Sequence, residues 1–321
     1  MNCLHCGTQI NPKIASQEEI NYSWHNRCVK NFFDTTSMPI IDISEKSLQA
    51  LVEDNVNKGF TVTGVQKKIS LHLSFVDKPR LTLVNYPTGY ILKPQVKEFE
   101  NLPEAEFLVM KMAALTGIKT VPCALIKINN DIAYITKRID RKQSNGTIQL
   151  LAMEDFCQLD QRLTQDKYKS SYERCAKVIM KYSHQSGLDL TEFYLRLIFS
   201  FIVGNSDMHL KNFSLIEEEQ SSQKYMLSPA YDLLPVNILI PEDTEEFALT
   251  MNGKKRNLRR NDFLKFANTC QIPNNVANNL INLVLSKELV YYDMCDKSLL
   301  SDTLKSNLKN LIGNRINRLK N

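Results

Sequence analysis

The chain of 321 residues has 40 Lys and Arg, 35 Asp and Glu, a formal net charge of +5 and a hydrophobic fraction of 43%. These values are ordinary for a globular protein with room for two domains, and the charge is too small to predict nucleic-acid binding by itself. Because no apolar run approaches the roughly 20 residues of a membrane span and residues 1–30 lack a signal-peptide core, we expect a cytoplasmic chain without membrane contact, while delivery to another cell stays open.

Two close pairs of zinc-type ligands begin the chain. Cys3 and Cys6 are separated by two residues, and so are His25 and Cys28. This spacing is typical of a tetrahedral Zn²⁺ that crosslinks a segment too small to fold alone. Four protein ligands predict a structural rather than a catalytic ion. The alternative is a disordered start with reduced thiols, and His5 is a competing donor.

The remaining five cysteines stand singly in apolar or helical surroundings. A cytoplasmic chain rarely keeps disulfides, so these thiols are expected to be reduced. We predict that all five lie in the core, at positions Cys123, Cys157, Cys175, Cys270 and Cys295.

A basic loop rich in glycine and hydroxyl groups, GFTVTGVQKK, is predicted over residues 59–68, after a helix over residues 42–56. It leads into a strand, because apolar and polar residues alternate strictly over residues 69–75. Backbone amides of the loop, with Lys67 or Lys68, can bind phosphates. The loop matches neither a Walker sequence nor GxGxxG, so by itself it is weak evidence for a nucleotide.

A lysine at the end of a strand and a glutamate on the following helix are predicted to pair. Residues 90–93 read as a strand that ends at Lys93. In kinases such a lysine binds the α and β phosphates of ATP while a helix glutamate holds it. The predicted helix over residues 103–115 has Glu104 and Glu106 in its first turn. We expect Glu106 to pair with the lysine and Glu104 to complement the helix dipole.

A hairpin follows, with strands over residues 124–128 and 132–139 on either side of a polar turn. The pattern then turns helical. Helices are predicted over residues 154–159, 172–185 and 190–203, and from residue 258 to the end.

A basic run over residues 254–260 is expected to be a solvated face, with phosphate or nucleic-acid binding as the alternative.

The order of these elements predicts the domain organisation. A strand-rich half followed by a helical half indicates an α+β, bilobal, protein-kinase-like fold rather than a repeating βαβ fold. The predicted parts are a zinc-knuckle-like segment over residues 1–40, a strand-rich N-lobe over residues 41–150 and a helical C-lobe over residues 151–321.

Acidic and amide side chains are concentrated in residues 204–215, GNSDMHLKNFSL, and in residues 228–232, SPAYD. A predicted hairpin between these stretches brings their ends to one edge. In kinases one Asp accepts the proton of the attacking hydroxyl, while an Asn and a later Asp hold the Mg²⁺ ions that bridge the phosphates. Asp207 is the predicted base, and Asn212 and Asp232 are the predicted metal ligands. The alternative is an ordinary polar loop.

Five short motifs follow one another along the chain. They are TGVQKK at residues 63–68, YILKP at 90–94, TKRIDR at 136–141, NSDMHLKNFS at 205–214 and PAYD at 229–232. Together they resemble the motifs of the HipA-like serine/threonine kinases, the toxins of bacterial toxin–antitoxin modules. The resemblance extends from about residue 59 to residue 260, and five ordered motifs are more specific than any one of them.

The resemblance implies transfer of the ATP γ-phosphoryl group to a Ser or Thr hydroxyl, with Mg²⁺, on a protein such as an aminoacyl-tRNA synthetase. It implies that Asp207 is catalytic, that His209 and Lys211 share its loop, and that Asn212 and Asp232 bind Mg²⁺. The residues expected at the nucleotide are Lys93, Glu106, Lys137, Ile139, Gly64, Gln66 and Lys67.

The resemblance also implies regulation by autophosphorylation. Thr61 and Thr63 occupy the loop where family members autophosphorylate, an event that ejects the loop and disables ATP binding.

The main chain around Lys137 and Ile139 matches the adenine-contacting hinge of the family.

One departure from the family pattern concerns partners. Full-length members have an additional N-terminal subdomain, in whose place this chain has about forty residues with the Cys and His pattern. The chain is thus similar to the split HipT-type toxins, whose missing subdomain is a separate protein. We expect a protein substrate, a helix-turn-helix antitoxin and a small separate subdomain-like protein as partners, with nucleic acid contacted only through the antitoxin.

Two other functions remain open. A catalytically silent module would hold a protein or nucleic acid through the zinc segment and the basic run, and a small-molecule kinase would use the same active-site residues. A pure scaffold has no physical need for all four of Lys93, Asp207, Asn212 and Asp232, which argues against the first. Substrate trials alone separate the second.

Overall fold

The computed structural model divides the chain into two compact units. The first comprises Met1–Phe107 and Val121–Ile139, and the second comprises Leu108–Thr120 and Asp140–Asn321. The three-part division expected from the sequence stays a prediction. The structure describes residues 1–42, 68–74, 78–82, 89–129, 131–144 and 147–320. The predicted helix over residues 42–56, except for its first residue, and the predicted loop over residues 59–68, except for its last, lie outside these ranges.

The first unit is built on a six-stranded sheet. Its strands are β1 (Ile40–Asp42), β2 (Ile69–Ser74), β3 (Arg80–Thr82), β4 (Tyr90–Pro94), β5 (Cys123–Ile128) and β6 (Asp131–Lys137). Their order across the sheet is β1-β3-β2-β4-β6-β5. β1 pairs with β3 in parallel, and the other neighbours are antiparallel. Strand β5 therefore lies at one edge of the sheet.

The predicted strands of this sheet are confirmed. Ile69 and Leu71 of β2 are buried while Ser70 between them is exposed, as the alternation required. The hairpin of β5 and β6 pairs Leu125 with Tyr134. Asn129, at the start of its turn, has a φ of 54°, a left-handed conformation that asparagine tolerates better than most residues.

Two short helices precede the sheet. α1 (Gln17–Tyr22) begins at Ser16, whose side chain accepts from the Glu19 amide while the Glu19 carboxylate accepts from the Ser16 amide. α2 (Asn26–Phe33) buries four side chains on one face, Cys28, Val29, Phe32 and Phe33. The longer α3 (Leu102–Thr116) confirms the helix predicted after β4, and its residues are divided between the two units.

The second unit is mostly helical. It contains the hairpin of β7 (Arg141–Ser144) and β8 (Thr147–Leu150), and a sheet of β9 (Met153–Asp155), β10 (Ser214–Glu217) and β11 (Tyr225–Leu227) in the order β11-β10-β9. Its helices are α4 (Phe156–Leu159), α5 (Tyr172–Tyr182), α6 (Ser186–Val203), α7 (Val236–Leu239), α8 (Arg260–Thr269), α9 (Asn274–Leu285), α10 (Glu288–Lys297) and α11 (Asp302–Lys320), with 3-10 turns at Thr164–Asp166 and Leu210–Asn212.

Two helix predictions were wrong at their ends. Residues 154 and 155 were expected to be helical but belong to β9, which pairs with β10, and Asp155 instead caps the start of α4 by accepting from the Gln158 amide. The helix predicted over residues 172–185 ends at Tyr182, because Ser183 is extended and donates its hydroxyl to Asp189 at 2.6 Å. Both differences arise from partners distant in sequence or from side-chain caps.

The core of the second unit is centred on α6. The five apolar residues predicted to pack inward are buried, namely Phe193, Leu197, Ile198, Phe201 and Ile202. The five isolated cysteines are free and buried, also as predicted. Among the helices that the structure describes, none combines the length and the apolar character needed to cross a bilayer.

Candidate active site and metal site

The segment with the predicted catalytic residues begins where α6 ends. Gly204 follows α6 with a φ of 72°, and the Asn205 amide donates to the carbonyl of Ser200 at 2.8 Å. A Cβ atom at position 204 would collide with the side chain of Leu311. Glycine is therefore required for the sharp turn that directs the chain from the core helix to Asp207.

Asp207 is almost buried, with 9% of its surface exposed. The hydroxyl of Tyr168 donates to its Oδ1 at 2.7 Å. The ring of Tyr168 also packs edge-on against His209, with 5.0 Å between ring centres. The carbonyl of Lys167 accepts from the Leu210 amide at 3.2 Å, which connects the segment before Tyr168 to the loop that contains Asp207. A hydrogen bond to a carboxylate favours its ionised form.

Asn212 lies in the same loop and is buried. Its Nδ2 donates to the carbonyl oxygen of Asp207 at 2.8 Å, and the His209 amide donates to the same oxygen at 2.8 Å. Since the amide nitrogen is used inside the loop, the amide oxygen of Asn212 is the side-chain atom suited to bind a metal ion. The loop thus holds the predicted base and the first predicted metal ligand in one fixed arrangement.

Lys211 is held by an ion pair. Its Nζ lies 2.5 Å from Oδ2 of Asp155, the residue that ends β9 and caps α4. The hydroxyl of Tyr231 donates to the carbonyl of Lys211 at 3.1 Å and lies 2.5 Å from Oγ of Ser214. Burial raises the pKa of Tyr231, which therefore stays a neutral hydroxyl.

Asp232 is reached through the predicted hairpin, which is confirmed as β10 and β11, with Leu215 opposite Leu227. The Ser228 amide then donates to the carbonyl of Ser214 at 2.9 Å. Asp232 is 8% exposed and has a φ of 55°. A non-glycine residue in this conformation costs of order 1 kcal/mol or more and is common at functional sites.

The ion pair expected between Lys93 and Glu106 is present in the first unit. Side-chain exposure is 2% for the lysine and 0% for the glutamate. The ammonium group also lies 5.1 Å from the ring centre of Tyr134 on the neighbouring strand. Because both charges are so deeply buried, removing either partner of the pair is expected to destabilise the fold.

Of the other residues predicted to bind the nucleotide, the structure describes Lys137 and Ile139. The Lys137 amide donates to the carbonyl of Pro122 at 3.0 Å, and its Nζ pairs with Asp34 at 3.1 Å. Ile139 follows strand β6 and is half-buried. Gly64, Gln66, Lys67 and the threonines at 61 and 63 lie outside the described residues.

The four predicted zinc ligands lie close together in the first unit. One ligand atom from each of Cys3, Cys6, His25 and Cys28 can be chosen so that all lie within 4.8 Å of one another. Nδ1 of His25 is 3.5 Å from Sγ of Cys6, and the His25 amide donates to Sγ of Cys3 at 3.5 Å. Burial, then the neighbouring thiols Cys3 and Cys6, raise the pKa of Cys28 to about 12.

The basic run over residues 254–260 is engaged within the second unit. Lys254 pairs with Asp262 at 2.7 Å, and Lys255 pairs with Glu245 at 3.1 Å. Arg260 donates to the carbonyl of Leu319 at 3.0 Å. Lys254, Arg256 and Arg259 are exposed, as expected of a solvated face.

Sequence reasoning missed two residues of this site, Tyr168 and Asp155. Tyr168 lies in a polar stretch between helices, where neither periodicity nor a motif draws attention to a tyrosine. Asp155 was assigned to a helix, although the following Gln158 completes a capping-box pattern that indicates a helix start. Their partners Asp207 and Lys211 are 39 and 56 residues away in sequence.

Comparison with known families gives one match that covers most of the chain. The family model for the HipA-like C-terminal domain matches residues 60–289. This range includes Lys93, Glu106, Asp207, Asn212 and Asp232.

Curated relatives were found in two bacteria. Two Sinorhizobium fredii proteins named "Putative kinase Y4mE" and "Putative kinase Y4dM" are 29% and 30% identical, over 63% and 68% of this chain and 48% and 56% of their own lengths. A Haemophilus influenzae protein named "Putative kinase" is 26% identical over 58% of this chain and 55% of its own length. The chain spans about half the length of the curated relatives it matches.

Two solved structures show the same fold. HipA of Shewanella oneidensis, solved with HipB and its operator DNA, superposes with a TM-score of 0.72 at 17% identity, covering 87% of this chain and 71% of that one. The Helicobacter pylori proinflammatory kinase CtkA superposes with a TM-score of 0.55 at 16% identity, covering 83% of this chain and 92% of that one. The predicted α+β, kinase-like fold is confirmed.

Proposed function

Since the chain belongs to the family of HipA-like C-terminal domains, we propose that it is a protein kinase that transfers the γ-phosphoryl group of ATP to a Ser or Thr hydroxyl. One observation supports this proposal above the others. Asp207 and Asn212 are joined by a hydrogen bond in one buried loop, and a hairpin returns the chain from that loop to Asp232. An acid, an amide and a later acid in this arrangement are the parts that phosphoryl transfer requires.

In this proposal Asp207 accepts the proton of the attacking hydroxyl. Tyr168 holds the carboxylate through Oδ1, so its orientation is set before the substrate arrives. His209 and Lys211 act as positioning residues, His209 by packing on Tyr168 and Lys211 by its ion pair with Asp155. Fixed orientation of the reacting groups is a large part of catalysis in this class of reaction.

Asn212 and Asp232 are the proposed Mg²⁺ ligands. Carboxylate and amide oxygens suit Mg²⁺, and Asn212 presents its oxygen because its nitrogen is bound to the Asp207 carbonyl. When bound, Mg²⁺ neutralises the charge that develops on the transferred phosphoryl group. The donor set therefore fits the ion that the kinase chemistry needs.

Nucleotide binding is proposed for the first unit. Lys93, held by Glu106, would bind the α and β phosphates, and the main chain at Lys137 and Ile139 would meet the adenine. For the residues outside the described ranges, the proposal rests on the family resemblance. Gly64, Gln66 and Lys67 would face the phosphates, and Thr61 or Thr63 would be autophosphorylated.

The proposed partners follow from the family and from one relative. The Shewanella oneidensis HipA structure contains HipB and operator DNA. We propose that this chain likewise binds a helix-turn-helix antitoxin and meets DNA through it, that it binds a small separate subdomain-like protein, and that its substrate is a cytoplasmic protein such as an aminoacyl-tRNA synthetase. The same proposal includes one structural Zn²⁺ at the cluster of Cys3, Cys6, His25 and Cys28.

A labelling experiment tests the kinase proposal. Purified protein is incubated with bacterial lysate, Mg²⁺ and γ-labelled ATP, and labelled proteins are hydrolysed to identify the modified amino acid. We expect phosphoserine or phosphothreonine with the native chain and with Asp293→Asn, a control at an exposed aspartate of the second unit, and none with Asp207→Asn. Label on a small molecule instead would favour the alternative kinase, and nucleotide binding without any label would favour the silent module.

A further inference from the structure

The four metal-type ligands of the first unit come from two places in the chain. Cys3 and Cys6 flank a tight turn that continues into Gly7, which has a φ of 76°. His25 and Cys28 lie at the start of α2, where His25 is the residue preceding the helix. A tetrahedral Zn²⁺ has Zn–S bonds of about 2.3 Å and Zn–N bonds of about 2.0 Å. Ligand atoms already within 4.8 Å of one another need little movement to reach that geometry.

The donor set selects the kind of ion. Three thiols and one imidazole are soft ligands, which favour zinc over Mg²⁺ or Ca²⁺. Cys3 and Cys28 are buried, at 2% and 4% exposure. Buried thiols close together gain from a cation that neutralises their charge, and a bound metal deprotonates a coordinating thiol outright. Among the residues that the structure describes, this is the one group of three or more His, Cys, Asp or Glu side chains placed to share an ion.

The residues next to the ligands hold the edge of the sheet. Among the strands that the structure describes, β5 has one neighbour in the sheet, so its outer amides and carbonyls need other partners. The Leu125 amide donates to the carbonyl of Leu4 at 2.9 Å, and Nε1 of Trp24 donates to the carbonyl of Leu125 at 3.0 Å. Leu4 follows Cys3, and Trp24 precedes His25. Each pair of ligands thus stands beside one of the two groups that satisfy Leu125.

The helix that begins at the ligands packs on the middle of the same sheet. Phe33 of α2 lies 5.5 Å, ring centre to ring centre, from Tyr90 of β4, and Phe32 lies 6.0 Å from it. The hydroxyl of Tyr90 donates to the carbonyl of Phe32 at 3.4 Å. Strand β4 ends with Lys93 and Pro94. The cluster is therefore connected to the edge strand and to the strand of the proposed phosphate-binding lysine.

We propose that Zn²⁺ at Cys3, Cys6, His25 and Cys28 is what holds residues 1–35 against strands β4 and β5, so that the ion stabilises the whole sheet of the first unit. The segment alone is too small for a core, and the binding free energy of a structural metal is folding free energy for the residues it joins. Loss of the ion frees both Leu4 and Trp24 from Leu125 and exposes the edge of β5. Any effect of the ion on ATP binding, through Lys93 of β4, rests on the proposed function. Its effect on the stability of the sheet does not.

The chain contains its own reporter for this coupling, because Trp24 is its single tryptophan. The full chain is purified without chelator, its metal content is measured, and zinc is then removed with a chelator. We expect about one Zn²⁺ per chain, a red shift of tryptophan emission on removal, and recovery with Zn²⁺ but not with Mg²⁺. Hydrogen exchange should become about tenfold faster or more at peptides of β5, while peptides of α6 in the second unit keep their protection.

A matched pair of variants separates metal loss from general damage. Cys6→Ser removes a half-exposed ligand with little loss of packing, whereas Cys295→Ser changes a buried thiol outside the cluster. We expect Cys6→Ser to lose zinc and to show the exchange pattern of chelated protein. We expect Cys295→Ser to retain zinc and the exchange pattern of the native protein. A zinc-free preparation with native tryptophan emission, or full removal of zinc without faster exchange in β5, would overturn the proposal. None of these readouts depends on kinase activity, so a failure of this proposal can be distinguished from a failure of the kinase proposal.

Discussion

Asn212 and Asp207 are joined inside one loop: the Asn212 amide nitrogen donates to the Asp207 carbonyl oxygen at 2.8 Å. Because this bond closes the loop, the Asn212 side chain is held against the main chain of Asp207, while Tyr168 holds the Asp207 carboxylate. The proposed base and the proposed metal ligand therefore have their relative position fixed before any substrate binds. The consequences can be measured one residue at a time.

Replacing the two acids should stop the reaction for different reasons. Asp207→Asn removes the proton acceptor and should lower kcat by about 10²–10⁴-fold. Asp232→Asn removes a metal ligand and should also lower the affinity for ATP with Mg²⁺. Titration calorimetry on both variants, with circular dichroism to check the fold, measures the difference. Equal nucleotide affinity would contradict the assigned roles while leaving the kinase proposal intact.

Tyr168→Phe should slow the reaction. The lost hydroxyl no longer holds the Asp207 carboxylate in one orientation, so kcat should fall by about tenfold. The KM for ATP should stay unchanged, since Tyr168 is not among the proposed nucleotide residues.

Tyr172→Phe is the control for this loss of kcat. Its hydroxyl donates to the carbonyl of Met208 at 3.1 Å, in the same loop but not to the carboxylate. This variant should lose about 1–3 kcal/mol of stability, because a buried carbonyl loses its donor, with little change in kcat at a temperature where it is folded. If both variants lower kcat alike, Tyr168 has only a structural role.

The buried pair of Lys93 and Glu106 should respond as a unit. Lys93→Met and Glu106→Gln each remove one partner of a buried ion pair, at a cost of about 3–5 kcal/mol. The double variant should be more stable than either single variant, although it should not recover ATP binding. Denaturant unfolding of the four proteins gives the coupling energy. Additive losses of stability would show that the pair is not coupled.

The predicted regulation by the loop over residues 59–68 can be tested by mass spectrometry. A phosphate on Thr61 or Thr63 adds about −1.5 to −2 charges. If the loop covers ATP as proposed, this charge repels the ATP phosphates, so autophosphorylation should lower ATP affinity. The Thr61→Ala, Thr63→Ala double variant should stay active longer during incubation with ATP and Mg²⁺. A preparation that phosphorylates its substrate but has no phosphate in this loop would exclude the switch.

Much of the fold and of the site could be predicted because the relevant signals are local. The alternation in β2 and the turn at Asn129 are properties of a few neighbouring residues, and so is the spacing of Cys3 with Cys6. A motif such as NSDMHLKNFS likewise places Asp207 and Asn212 in one loop, whatever surrounds it. The pairing of Lys93 with Glu106 was also predictable, since the strand and the following helix are close in sequence.

Tertiary structure alone decided the contacts that connect distant segments. Tyr168 meets Asp207 across 39 residues, and Trp24 meets Leu125 across 101 residues. β9 exists because β10 pairs with it, against a local pattern that indicated a helix. Such contacts depend on how whole elements pack. The free energy of packing is a sum over many residues, so no short stretch of sequence predicts it. For that reason the sequence by itself determined the family resemblance, the spacing of the acidic and amide residues and the metal-ligand pattern. Only the folded chain decided that Tyr168 contacts Asp207 and that Leu4 and Trp24, next to the metal-type ligands, contact Leu125.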